Sequence, residues 1–116
     1  MKSLKKKFKP KVNGHLDMFV SCRKYKFEGK TIKRDEIFIH GDPEGLKSFA
    51  KLLVKIANQN QALNDKLPEG ERGHVHLEHR FDLSNSSCDV IVGRLDAKGT
   101  GEFYDRYIPK SYNRQK

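Results

Sequence analysis

The sequence predicts an α+β domain: a mainly antiparallel sheet of about four strands in the order β-β-α-β-β, with one amphipathic helix packed on it. Three observations carry that expectation. Two β-prone runs flank a turn signal at Glu28-Gly29-Lys30, a strong helix start sits at residues 41–45, and two short β-prone runs follow the helix. The length of 116 residues suits one domain with a core that needs no metal or disulfide staple.

Residues 1–11 carry Lys2, Lys5, Lys6, Lys7, Lys9 and Lys11 and no acid. With only Leu4 and Phe8 as sizeable apolar groups, the segment buries too little to offset its ordering entropy, and a flexible basic N-terminal tail is expected. From Leu16 the pattern alternates. Leu16, Met18, Val20 and Cys22 fall on one side and Phe19, Tyr25 and Phe27 on the other, so residues 16–27 and 31–40 read as a hairpin.

Gly41-Asp42-Pro43-Glu44-Gly45 is the clearest local signal. Asp42 can accept a hydrogen bond from a free amide of the first helical turn, and Pro43 fits N1, where its missing N–H is no loss. Glu44 complements the positive end of the dipole. Leu46, Phe49, Ala50, Leu53, Ile56 and Ala57 then recur at helical spacing with Lys47, Lys51 and Lys55 on another stripe, which predicts a helix from about 43 to 58, with a continuation through Ala62 and Leu63 left open. A polar loop at 70–73 leads into the alternating run His74-Val75-His76-Leu77-Glu78-His79. After a turn at 82–87 comes a strand from Cys88 to Leu95, then a flexible connection at 97–101. Phe103, Tyr104, Tyr107, Ile108 and Tyr112 are expected to pack back over the domain. The chain thus divides into a tail at 1–11, one α+β domain at 12–105 and a basic C-terminal tail at 106–116.

The formal net charge is +9. The two tails hold ten bases and no acid, while residues 12–105 hold 14 bases and 15 acids, so the excess lies in the ends. The longest aliphatic or aromatic runs are three residues, which excludes a membrane span, and no apolar stretch follows the lysines to make a signal peptide. Two cysteines, Cys22 and Cys88, rule out a disulfide framework or a four-cysteine zinc site. Both lie in apolar runs and are expected as buried thiols of a reducing, cytoplasmic compartment.

Chemistry-bearing patterns are few. His74 and His76 share one strand face about 7 Å apart, within reach of one metal, but Glu78 lies about 13 Å from His74 and no second ligand cluster exists. A solvent-facing row is expected, with no metal and no cofactor. The 41–45 turn is a helix cap rather than a phosphate cradle, because Asp42 and Glu44 occupy the place of an anion and no Lys-Ser/Thr follows. Ser84, Ser86, Ser87 and Cys88 lack nucleophile signatures, so no catalytic residues are assigned. Lys5, Lys6, Lys7, Lys9 and Lys11 offer weak, salt-dependent contact with nucleic acid. A small nucleic-acid- or polyanion-binding accessory protein using its tails is therefore the alternative reading.

The run Ile37-Phe38-Ile39-His40-Gly41-Asp42-Pro43-Glu44-Gly45-Leu46, then Phe49-Ala50-Lys51-Leu52-Leu53, resembles the immunity protein 32 family of bacterial polymorphic toxin systems. His74-Val75-His76-Leu77 and Asp89-Val90-Ile91-Val92 follow in the order of that family's pattern. The resemblance covers about residues 35–95; the loop at 58–73 and the basic tails depart from it. It implies a small cytoplasmic protein that binds a cognate toxin domain and neutralises it by occlusion, without catalysis. The family's shared positions look like scaffold, and the His74, His76 and Glu78 face is the exposed exception and the candidate partner-binding face. A neutral body with basic ends does not fit an acidic mimic of nucleic acid.

Overall fold

The structure is a computed structural model and describes residues 9–110. Lys5, Lys6 and Lys7 of the predicted tail, and Tyr112, lie outside the described residues. The first two strands, β1 (Leu16–Phe27) and β2 (Lys30–Gly41), form an antiparallel hairpin whose register runs from Leu16 opposite Gly41 to Phe27 opposite Lys30. The two-residue loop has φ of 51° at Glu28 and 80° at Gly29, the left-handed pair whose twist matches that of the strands it joins.

The helix α1 (Pro43–Asn58) starts at the predicted proline and ends at Asn58, short of Ala62 and Leu63. Asp42 is its N-cap, and its carboxylate accepts the Gly45 N–H at 2.7 Å. At the other end Arg94 donates from Nη1 to the Ile56 and Gln59 carbonyls at 3.1 and 2.8 Å, so a residue beyond the last strand supplies the C-terminal partner. A short 3₁₀ turn, Gln61–Leu63, leads to the second hairpin, β3 (His74–Leu77) with β4 (Val90–Gly93).

The order β-β-α-β-β is present, and the four strands divide into two antiparallel pairs. Between them lies the 84–88 segment, beside the start of β1. Ser84 N–H donates to the Leu16 carbonyl at 3.0 Å and Cys88 N–H to the Met18 carbonyl at 2.9 Å. The Ser87 hydroxyl takes the Met18 N–H at 3.0 Å, where a strand would offer its carbonyl. That substitution interrupts the ladder and leaves two sheets stitched by a turn.

The core gathers Val12, Leu16, Met18, Leu77 and Leu83, with Phe49, Leu52, Val75, Val90 and Val92 packed against it; Leu16 and Leu77 are fully enclosed. Helix and second hairpin therefore cover only the root of the first hairpin. From residue 22 to residue 35 its side chains are exposed, apart from half-buried Tyr25 and Ile32, which face each other across the ladder.

Three expectations are corrected. Cys22 and Cys88 are both exposed rather than buried. Cys22 lies beyond the covered root of β1, and Cys88 belongs to the stitching turn, because the last strand begins at Val90. The 97–101 connection is anchored: Ala97 is buried, Lys98 N–H donates to the Glu71 carbonyl at 2.7 Å, and Gly70 N–H donates back to the Lys98 carbonyl at 2.9 Å. Of the terminal aromatic group, Tyr104 is held beneath Arg72, whereas Ile108 is 85% exposed. Among the described residues no helix is long and apolar enough to cross a membrane.

Candidate functional site

The outward face of the second hairpin is the predicted histidine face. His74 stands opposite Gly93 and His76 opposite Ile91, both histidines are exposed, and their ring centroids are 5.0 Å apart. His74 Nδ1 lies 3.1 Å from the Arg72 carbonyl, which fixes one ring. A depression of about 340 Å³ beside the pair reaches Leu95 and Tyr104. Its wall is held by Arg72, which donates to the Leu95 and Glu102 carbonyls at 2.7 and 2.8 Å and lies 4.2 Å from the Tyr104 ring centre.

Glu78 falls outside this row, because β3 ends at Leu77. The Glu78 carbonyl accepts the N–H groups of Phe81, Asp82 and Leu83, and its own N–H donates to buried Asp82 at 2.9 Å, so the chain turns there. His76 and Glu78 instead border a second depression of about 310 Å³, together with His79 and Asp89. His79 approaches Asp89 twice, through its N–H at 3.0 Å and Nδ1 at 2.8 Å, and these hydrogen bonds hold the Asp89 carboxyl below its usual range. Among the described residues no group of three or more His, Cys, Asp or Glu is placed to hold a metal ion.

The capping motif does more than start a helix. Asp42 Oδ1 also accepts the His15 N–H at 3.1 Å, and the Asp42 N–H donates to the His15 carbonyl at 3.2 Å. These amide bonds, that from His15 foremost, lower the Asp42 pKa. Gly45 is buried because the His15 carbonyl occupies the space a side chain would need, and Gly14, at φ 76°, packs equally close to the Gly45 amide. The motif is thus a clamp between helix start and strand start, built of scaffold residues.

A polar clasp sits on the opposite face of β1. Asp17 accepts the hydroxyls of Ser84 and Ser86, both at 2.6 Å, which lowers its pKa, and it stands opposite His40 in the ladder. Next to it Phe19 and Phe38 stack at 5.0 Å with the His40 ring edge-on to both. The clasp was invisible in the sequence, where no local signal ties a serine-rich turn to an aspartate 67 residues earlier.

Of the predicted tail lysines, Lys9 is exposed and Lys11 is anchored: its N–H donates to Asp82 at 2.7 Å and its Nζ lies 3.9 Å from the same carboxylate. The folded part is polarised, although its net charge is close to zero. Residues 23–34 hold six bases and one acid, a net of +5, while the rest of residues 12–105 holds eight bases and 14 acids, a net of −6.

The family profile described as Immunity protein 32 matches residues 36–95, more than half of the chain. The chain belongs to the immunity protein 32 family. No curated protein and no solved structure matches it significantly. The family segment contains the helix side of the capping clamp (Asp42 and Gly45), the helix, the histidine face and Arg94, while Gly14 and His15 of the clamp precede it. Strand β1 and the cationic end of the first hairpin lie before it, so the immunity protein 32 match takes in Leu77 and Leu83 of the core and leaves out the arm together with Val12, Leu16 and Met18.

Proposed function

We propose that this protein is a non-catalytic immunity protein that binds a cognate bacterial toxin domain in the cytoplasm and neutralises it by occlusion. Membership of the immunity protein 32 family, over residues 36–95, is the observation that carries the reading. The fold adds support: a small core secures two hairpins, and the His74 and His76 row of one and the outer half of the other are largely exposed. Occlusion needs only such a surface, with affinity from a few desolvated contacts and approach aided by complementary charge. The His74 and His76 row, with exposed Ile91 opposite His76 on β4 and Glu78 beyond the end of β3, is the proposed partner-binding face.

The test is co-expression in a bacterial host with the toxin domain encoded beside this protein's gene. Growth should be restored, and the purified pair should elute as one complex. A His74→Ala/His76→Ala double variant should protect less well with unchanged thermal stability. Failure of the wild-type chain to protect or to bind would overturn the reading; full protection by the double variant would move the contact elsewhere.

A further inference from the structure

The first hairpin combines features that its own stability does not explain. Its outer half places like charges directly opposite each other at consecutive positions of the register, Arg23 facing Arg34 and Lys24 facing Lys33. Directly opposed like charges destabilise a strand pair. Two reliefs fall on Arg23, the ion pair with Glu36 at 3.0 Å and the Tyr25 ring centre 5.7 Å from its guanidinium; Lys24, Lys26, Lys30, Lys33 and Arg34 make no ion pair among the described residues. Cations stand on both faces of the ribbon, around a net charge of +5 within twelve residues.

At the root of the same hairpin lies an apolar strip. Val20, Ile37 and Ile39 share one face by register and are 58, 70 and 46% exposed, and Leu46 of the helix continues the strip past Gly41. Isolated exposed apolar residues are ordinary, but four in a row beside a cationic tip have the anatomy of a protein interface, an apolar centre with a charged rim.

We propose that residues 23–34 are a cationic arm that docks on an acidic patch of the toxin domain, with Val20, Ile37, Ile39 and Leu46 filling the adjoining contact. The inference rests on the immunity reading and adds to it the chemistry of the partner. A protein fits better than a nucleic acid for two reasons. Apart from the ten bases of the tails, a uniform polyanion running past the arm would meet the rest of residues 12–105, of net charge −6, whereas a protein can offer an acidic patch to the arm and another surface to that remainder. The aliphatic strip, moreover, has nothing to bury against a phosphate backbone.

The test uses the full chain and the purified, inactivated toxin domain encoded beside its gene, with Kd measured by calorimetry at about 50 and about 300 mM salt. The variant is Lys24→Glu/Arg34→Glu, which lowers the arm from +5 to +1 and turns both like-charged pairs into opposite ones, so the hairpin itself is favoured. Expected are binding by the wild type that weakens with salt, a loss of about tenfold or more in the variant at low salt, and a flatter salt response. Ile37→Ser should weaken binding at both salt concentrations. Equal affinity of variant and wild type overturns the arm and leaves the immunity reading standing, and absence of wild-type binding overturns both. Tighter binding of a short DNA duplex than of the toxin domain, lost in the same variant, overturns the protein partner in favour of nucleic acid.

Discussion

Replacing Gly45 by alanine sets two physical effects against each other. On helix propensity alone, alanine in place of the only glycine of α1 should stabilise the protein by about 1 kcal/mol. The clamp predicts the opposite sign. A Cβ at Gly45 would sit 2.7 Å from the His15 carbonyl carbon, closer still to its oxygen, and 3.0 Å from Asp42 Oδ1, where ordinary contact begins at 3.4 Å. Neither neighbour can yield independently: His15 and Asp42 exchange main-chain and side-chain hydrogen bonds, and Gly14 is wedged against the Gly45 amide. Overpacking of rigid backbone costs about 3 kcal/mol at the upper end of its usual range, so the net expectation is a loss of about 2 kcal/mol. For a domain of this size that lowers Tm by about 8–16 °C. Thermal denaturation followed by circular dichroism, with urea titration as a second measure, decides it; Lys51→Ala on the exposed stripe serves as control and should change little. A Gly45→Ala protein as stable as the wild type, or more so, would refute the clamp.

Leu77 is fully buried in a core of few large side chains, so Leu77→Ala should cost about 3 kcal/mol in urea titration, and a loss under 1 kcal/mol would mean that the second hairpin is not tied to the core. Glu28 holds a positive φ that asparagine adopts more readily; Glu28→Asn should stabilise the hairpin by up to about 1 kcal/mol and raise Tm, and a lowered Tm would count against the turn geometry. Serine hydroxyls depress the folded-state pKa of Asp17 below its ordinary value of 3.8, so its contribution to stability is complete above that value and is lost as pH falls through the lower folded-state pKa. Tm measured downward from neutral pH should therefore stay level until about pH 4 and then drop, with a shallower drop in Asp17→Asn. A variant whose acid limb matches the wild type would remove Asp17 from the account.

The packed face of the helix was legible only in part: Phe49 and Ile56 are covered as the stripe predicts, Leu52 joins them, and Leu46, Ala50, Leu53 and Ala57 of the stripe are exposed. The start of the helix was legible because its signals are local, a cap and a proline. The long hairpin was legible for the same reason, with alternation on both sides of a two-residue turn. What escaped the sequence depends on distant pairing. The stitching of 84–88 to β1 rests on serine contacts spanning 67 to 69 positions, so nothing local marks where a ladder gives way to a turn. Glu78 read as a continuation of the histidine face because alternation persisted in the sequence, while buried Asp82 takes its N–H and ends the strand at Leu77. The cysteines followed an apolar pattern, but the helix covers only the root of β1 and leaves Cys22 outside. The charge of the arm was present in the sequence all along, and averaging over residues 12–105 cancelled it against an acidic remainder.

The bonds from Arg94 to the end of the helix also bear on how the molecule opens. The Ile56 carbonyl takes the Gln59 N–H locally, but its second donor and the donor to the Gln59 carbonyl are both Arg94, which is in position only when the strand that precedes it is in place. The same guanidinium is fixed by two contacts at 2.9 Å to Asp96. Helix and second hairpin therefore unfold together, and their amides should exchange with solvent only through global opening. The outer half of the first hairpin closes through neighbours across its own ladder, so it can unzip from the tip while the rest stays folded. A chain built this way keeps its stability in one half and its adaptability in the other, and the loose half can reshape on contact without loosening the core.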